Sequence, residues 1–290
     1  MTILWLGDED CHEVQRVGGK AANLSQLAAN YRVPAGFCVT PELYAQWSDS
    51  LHLDASSQRT LPQSLLDLVS REYQVMGIRS GLVEPAVTVR SSALEEDGST
   101  SSFAGQFETY LNIKGSVEVA GAIVRCWDSV SGERMSSYRA EQGLPSESLG
   151  IAVLVQLLIP AEISGVVFSA NPISQNRDEV MINTTWGLGE GLVSGQVTPD
   201  TLVVNKSDFA VKDQYIGEKG LMTVLVEGGT KEVNVPVVQR QTLTLDGEKT
   251  KAITQLAVDL ESKMGWPVDL EFAYYQDLLY LLQCRPITTL

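Results

Sequence analysis

The sequence predicts an α+β protein of two lobes, each mixing strands and helices. Three observations carry that expectation. The 290 residues can bury a sizeable core, in one large domain or two lobes. Short apolar runs of strand length and longer amphipathic runs of helical period occur in both halves, without the regular βαβ alternation of a parallel sheet. No internal repeat of about 20–50 residues recurs. The expected lobes are residues 1–155 and 156–290.

In chain order, Ile3–Leu6 is a short apolar strand. Val17-Gly18-Gly19-Lys20 leads into a run in which Ala21, Leu24, Leu27 and Ala28 recur at helical spacing, so a helix starts near Lys20. A glycine pair before a helix leaves backbone N–H groups for a phosphate, with Lys20 supplying charge; the same pattern also makes a plain loop-to-helix turn. It lacks the G-x-x-x-x-G-K-[ST] spacing of a Walker loop. Val33–Gly36 is a turn and Phe37–Thr40 a strand. Pro41 opens a helix to about Asp49 with Thr40 as cap, and residues 50–61 form a polar loop. Pro62–Met76 is an amphipathic helix with Leu65, Leu66, Leu68, Val69 and Tyr73 inward.

Ala86–Val89 is a buried strand that delivers Arg90, followed by a polar loop from Glu95, whose Ser/Gly-rich residues 99–106 read as a flap or as an ordinary loop, and a strand at Phe107–Ile113. An arginine at the end of a core strand either pairs with a carboxylate or points into a ligand cleft. Helical period runs from Ser116 to about Gln142, with Gly132 dividing it. Ile151–Ile159 is an apolar strand with one polar residue, Gln156, whose amide bonds backbone neighbours or meets a polar base such as adenine. Strands follow at Ser164–Ala170 and Glu179–Thr184. The glycine-rich stretch Trp186–Gly191 lacks G-x-G-x-x-G spacing, and Gly195–Asn205 reads as strand, which excludes a Rossmann site. Short β pieces at 209–216, 221–227 and 232–238 precede a helix at Leu245–Met264, which ends near Gly265.

The formal net charge of −15 argues against nucleic acid or an anionic membrane as partner. No apolar run is long enough to cross a bilayer, and MTILWLGDED carries no leader pattern. Cys11, Cys38, Cys126 and Cys284 are scattered, as expected of reduced thiols in a cytoplasmic protein. His12 and His52 sit in polar, loop-like stretches, so neither a Ser-His-Asp triad nor a zinc site has its parts.

The last strands, Val268–Pro286, form a hairpin turning at Gln276-Asp277. A three-residue loop, Gln276 to Leu278, sets Glu271 opposite Gln283; a two-residue loop puts them on opposite faces. In the first register Glu271 and Gln283 gather oxygens suited to Mg2+, beside Arg285, whose guanidinium suits phosphate. In the other they are rim polar residues. Lys20, Arg90, Gln156, Glu271, Gln283 and Arg285 are together the composition that phosphoryl transfer needs.

Five stretches then stand in order: GGKAANL…VPAGFCVT, VTVRSSALEEDGSTSSFAGQFETYLNI, VLVQLLIPAEISGVVFSANP, WGLGEGLVSGQVTPD and GWPVDLEFAYYQDLLYLLQCRP. Together they resemble the N-terminal nucleotide-binding domain of the pyruvate phosphate dikinase and phosphoenolpyruvate synthase family, shared by rifampicin phosphotransferases. The resemblance implies an ATP-grasp fold with ATP and Mg2+ between two lobes. It implies phosphate contacts from Lys20 and Arg90. Gly105 and Thr109, with the backbone near Tyr110, would lie in a loop over the nucleotide, and Gln156 at a nucleotide-binding hinge. Glu271 and Gln283 match metal and nucleotide ligands, and Arg285 the phosphate-binding arginine; Lys20, Arg90 and Arg285 would serve catalysis. In that family a further domain carries the phosphorylated histidine. The implied activity is therefore phosphoryl transfer from ATP to a histidine on a separate carrier protein or domain. A self-contained small-molecule kinase or ligase and a non-catalytic nucleotide-binding subunit are the alternatives.

Overall fold

A computed structural model describes residues 3–47, 61–93, 108–131 and 151–290. The expected polar loop from residue 50 to 60, the flap with Gly105, the dividing Gly132 and His52 lie outside the described residues. The chain splits into two compact units. One comprises Met1–Asn30 and Pro34–Leu158, the other Tyr31–Val33 and Ile159–Leu290.

The first unit holds β1 (Ile3–Trp5), α1 (Val14–Leu27), β2 (Gly36–Val39), α2 (Pro41–Trp47), α3 (Gln63–Ser80), β3 (Val87–Ser92), β4 (Thr109–Ile113), α4 (Ser116–Ser131) and β5 (Ala152–Leu157). Its five strands pair antiparallel in the order β1-β2-β5-β3-β4. Strand alternation sorts the sheet into two faces. Phe37, Val39, Val87, Val89, Val153 and Val155 point one way, into a core with Leu65, Val69 and Met76 of α3 and Ile123 and Trp127 of α4. The opposite face carries Cys38, Thr88, Arg90, Leu154 and Gln156 and meets α1, where the Cys38 thiol donates to the Val17 carbonyl at 3.7 Å. Helix α3 runs four residues beyond the expected end, to a Gly81 cap at φ 70°. Strand β3 runs on through Ser92, so Arg90 lies inside it rather than after it.

The second unit holds β6 (Ile163–Phe168), β7 (Glu179–Trp186), α5 (Glu190–Val193), β8 (Asp200–Asn205), β9 (Val211–Tyr215), β10 (Leu221–Val226), β11 (Gly229–Asn234), α6 (Val237–Arg240), α7 (Gly247–Met264), β12 (Val268–Tyr275) and β13 (Leu278–Pro286). Six strands form an antiparallel sheet in the order β13-β12-β6-β7-β8-β9, and β10 and β11 a separate hairpin. Asp246 caps α7 by accepting from the Lys249 N–H at 2.7 Å, and Gly265 ends it at φ 78°. Ile253, Ala257 and Leu260 of α7 are fully buried, as are Leu270 and Phe272 on β12, the strand it contacts. The glycine-rich stretch after β7 contains the single helical turn α5, where no helix was expected; no dinucleotide-type helix follows. Gly187 sits at φ 75°, and a Cβ there would lie 2.4 Å from the Thr223 carbonyl, so the β10–β11 hairpin closes directly on its backbone.

Beside this hairpin lies a fully buried ion pair between Asp200 and Lys219. Asp200 also accepts from the Gly217 N–H at 2.9 Å and the Thr244 N–H at 2.8 Å. The four cysteines are buried and free, and burial pushes the Cys11, Cys38 and Cys126 thiols up, Cys11 to about 11 and Cys126 to about 12. Among the described residues no helix is long and apolar enough to cross a membrane.

Candidate nucleotide site

In the first unit the candidate residues gather around β3. Gly18 breaks α1 with φ 76° and ψ 164°, and the regular helix resumes toward Leu27. A Cβ on Gly18 would lie 2.3 Å from the Ser92 carbonyl, so only glycine lets the helix start this close to β3. The Gly19 N–H donates to the Ala93 carbonyl at 3.3 Å, and the Ala21 N–H meets the Ser92 hydroxyl at 3.3 Å. Of the two readings open for the glycine pair, this is the plain turn, with the residues at and after the end of β3 taking the N–H bonds. Lys20 is 7 % exposed, and its ammonium donates to the Ser91 carbonyl at 3.3 Å.

Arg90 pairs across the sheet with Thr109 on one side and Leu154 on the other, and Thr88 pairs with Gln156. Thr88, Arg90, Thr109 and Gln156 thus share the α1 face. Thr109 and Tyr110 open strand β4 rather than lying in a loop. Tyr110 pairs with Val89, so its ring points to the other face, where the Arg125 guanidinium lies 4.7 Å from its centre. Gln156 lies on β5, in the first unit. Its amide donates to the Pro34 carbonyl at 3.2 Å, the backbone alternative of the two open for it.

In the second unit the hairpin resolves the register. Gln276 and Asp277, at φ 50° and 58°, make a two-residue turn with Tyr275 opposite Leu278. That turn alone would put Glu271 and Gln283 on opposite faces. One extra residue, Leu282, enters between Leu281 and Gln283, and the register shifts between Glu271 and Phe272. Beyond this bulge Glu271 faces Gln283, and Asp269 faces Arg285. The expected pairing therefore stands on a bulge, not on a three-residue loop, and Leu281 moves to the face of Phe272.

Asp269 is 7 % exposed and accepts from both Nε and Nη2 of Arg285 at 2.8 Å, through the same oxygen. Burial pushes the Asp269 carboxyl up, the Arg285 charge and hydrogen bond pull it back, and the Glu271 charge adds to the rise. In Arg285→Ala the lowering influences vanish, so Asp269 is expected to titrate higher still, as followed by carboxyl-carbon NMR. A folded-state value above the unfolded one means the folded chain holds the proton more tightly. That variant should therefore lose stability as pH rises from the ordinary carboxylate range through the raised value. An unchanged titration would contradict the pairing. Asp269 is not among the ligands that the sequence singles out, although alternation places it on the Glu271 face.

Among the described residues no three His, Cys, Asp or Glu side chains cluster to hold a metal. His12 lies in a 3-10 turn, Glu9–His12, rather than a loop. Glu271 and Gln283, as cross-strand neighbours about 5 Å apart at Cβ, offer one carboxylate and one amide oxygen. That set fits Mg2+, which binds through one or two protein oxygens and completes its shell with water and substrate phosphates.

Residues 53–290 match the family described as pyruvate phosphate dikinase, AMP/ATP-binding domain, and the chain belongs to it. It is 36 % identical over 317 residues to the probable phosphoenolpyruvate synthase of Methanocaldococcus jannaschii, covering 99 % of this chain and 27 % of that protein. It is 34 % identical to the rifampicin phosphotransferase of Streptomyces sviceus, covering 99 % of this chain and 36 % of that protein. The chain thus spans between a quarter and two-fifths of these relatives' lengths. A solved dinucleotide-forming acetyl-coenzyme A synthetase 1 from Ca. Korarchaeum cryptofilum aligns over 98 % of this chain and 92 % of its own, at 8 % identity and a TM-score of 0.43.

Proposed function

We propose that this chain, with an ATP-grasp fold, binds Mg-ATP and supplies the ATP half of a dikinase-type phosphotransfer. The observation that carries the reading is the bulged pairing of Glu271 with Gln283, a metal-type oxygen pair in a chain whose family binds AMP and ATP. Glu271 and Gln283 would hold Mg2+, which would neutralise charge on the phosphate chain. Lys20 and Arg90 contact phosphate oxygens as cations, and Arg285 does so while steered by Asp269. Thr109 and the backbone at Tyr110 approach the nucleotide from the start of β4. In the reaction an imidazole nitrogen of a histidine on a carrier protein or domain attacks the β-phosphorus, the α–β bond breaks and AMP leaves. Water then cleaves the β–γ bond, so that inorganic phosphate is released and one phosphoryl group stays on the imidazole. Buried, reduced thiols suit such work in the cytoplasm.

Phosphorus NMR of the products tests this directly. With ATP, Mg2+ and a histidine carrier domain of the dikinase type, AMP and phosphate are expected in equal amounts. ADP formed with a small-molecule acceptor and no carrier would replace this reading with that of a self-contained kinase.

A further inference from the structure

The bulge at Leu282 sets the register of the proposed metal pair, so whatever holds the bulge holds the site. A plain ladder continued from the two-residue turn would set Glu271 against Leu282 and Gln283 against Leu270. Gln283 would then point to the face of Leu270 and Phe272, both fully buried, where an amide has no place. At the bulge, the Leu281 N–H donates to the Arg32 carbonyl at 3.0 Å. Arg32 belongs to Tyr31–Val33, three residues distant in sequence that pack with the second unit. The Val33 N–H closes on the Tyr31 carbonyl at 2.8 Å, a three-residue turn centred on Arg32. Two ring contacts pin the turn. The Arg32 guanidinium lies 5.6 Å from the Tyr280 ring centre, and the Lys263 ammonium lies 5.3 Å from that of Tyr31.

We propose that Tyr31–Val33 is a positioning strap for the metal pair: the Arg32 carbonyl fixes the bulge at Leu281–Leu282 and so keeps Gln283 and Arg285 on the face of Glu271 and Asp269. The proposal rests on the reading of Glu271 and Gln283 as Mg2+ ligands. The strap's bond is to Leu281, beside the metal pair. It acts through the register, as outer contacts around metal ligands commonly do.

Deleting Leu282 separates this role from general stabilisation. The deletion removes the extra residue, and a regular ladder from the same turn then sets the former Gln283 opposite Glu271 and the former Arg285 opposite Asp269. Pairing in the deletion variant no longer needs the strap. The experiment compares the parent chain, Tyr31→Ala/Arg32→Ala, the Leu282 deletion, and the combination of the two. Each is measured for ATP affinity with and without Mg2+ and for the cross-strand nuclear Overhauser contact between the Glu271 and Gln283 positions. The strap variant is expected to lose about tenfold in Mg2+-dependent affinity, to keep its metal-free affinity, and to weaken the cross-strand contact. The combined variant is expected to recover both. A strap variant with undiminished Mg2+ dependence and an intact contact overturns the proposal, as does a loss that the Leu282 deletion fails to restore. Glu271→Ala in the parent tells the two levels apart. If it leaves Mg2+ dependence unchanged, the metal reading fails, while the Overhauser contact still decides whether the strap sets the register.

Discussion

Glu271→Ala is expected to abolish Mg2+-dependent turnover, by on the order of 10³-fold or about 4 kcal/mol of transition-state stabilisation. Glu271 lies near the middle of β12, half-buried, with the β6 residue Val166 on one side and Gln283 on the other. Its backbone bonds belong to the ladder and survive truncation. The side chain brings the only charge of the proposed metal pair, and Gln283 alone is a neutral ligand. Gln283→Ala should therefore weaken Mg2+ dependence less than Glu271→Ala does. Thermal unfolding should move little, since a partly exposed substitution away from core packing usually stays within about 0.5 kcal/mol. Full turnover in Glu271→Ala would remove the site assignment. Loss of turnover together with a collapsed melting transition would mark a folding defect instead.

Lys219→Met is expected to destabilise the second unit by about 3–5 kcal/mol, the usual result of leaving one buried charge without its partner. Asp200 and Lys219 are both fully buried. Asp200 retains the Gly217 and Thr244 N–H donors in the variant, but two neutral donors do not replace an ammonium. Urea unfolding measures the loss. The double variant Asp200→Asn/Lys219→Met should be more stable than Lys219→Met alone, because removing both charges ends the uncompensated burial. If the single variant unfolds at the parent's urea midpoint, the pair does not hold this region together.

Much of the fold was legible in the pattern of apolar residues. Short apolar runs marked β3, β5, β12 and β13, and helical period marked α3, α4 and α7, because burial leaves its own pattern in the sequence. The ends of elements were less legible. Strand β3 continues through Arg90-Ser91-Ser92, since polar residues there are held by the pairing of β5 and by α1, contacts distant in sequence. The one-turn helix at Glu190–Val193 is too short for any periodic signal.

The candidate site was legible in residue types but not in its geometry. Glu271 and Gln283 do face each other, yet the turn has two residues and a bulge supplies the missing step. A bulge with Leu on both sides leaves no mark in an apolar run such as Leu278-Leu279-Tyr280-Leu281-Leu282. Gly18-Gly19 could make a phosphate loop or a plain loop-to-helix turn, because glycines there can open the backbone. In the fold, Gly18 is needed for close approach to Ser92, and the Gly19 N–H goes to Ala93. The same residue type serves either purpose, and only the neighbour across the sheet decides between them. Asp269 stood in view two residues before Glu271, but its bond to Arg285 depends on the register that the bulge creates.

The most direct measurement is calorimetric titration of the chain with ATP, with Mg2+ present and absent, repeated on Glu271→Ala. One saturable ATP site, tightened by Mg2+ in the parent and indifferent to Mg2+ in Glu271→Ala, is the expected result. No saturable ATP binding by the parent chain, or binding that Mg2+ tightens equally in the variant, would contradict the assignment of a Mg-ATP site to these residues.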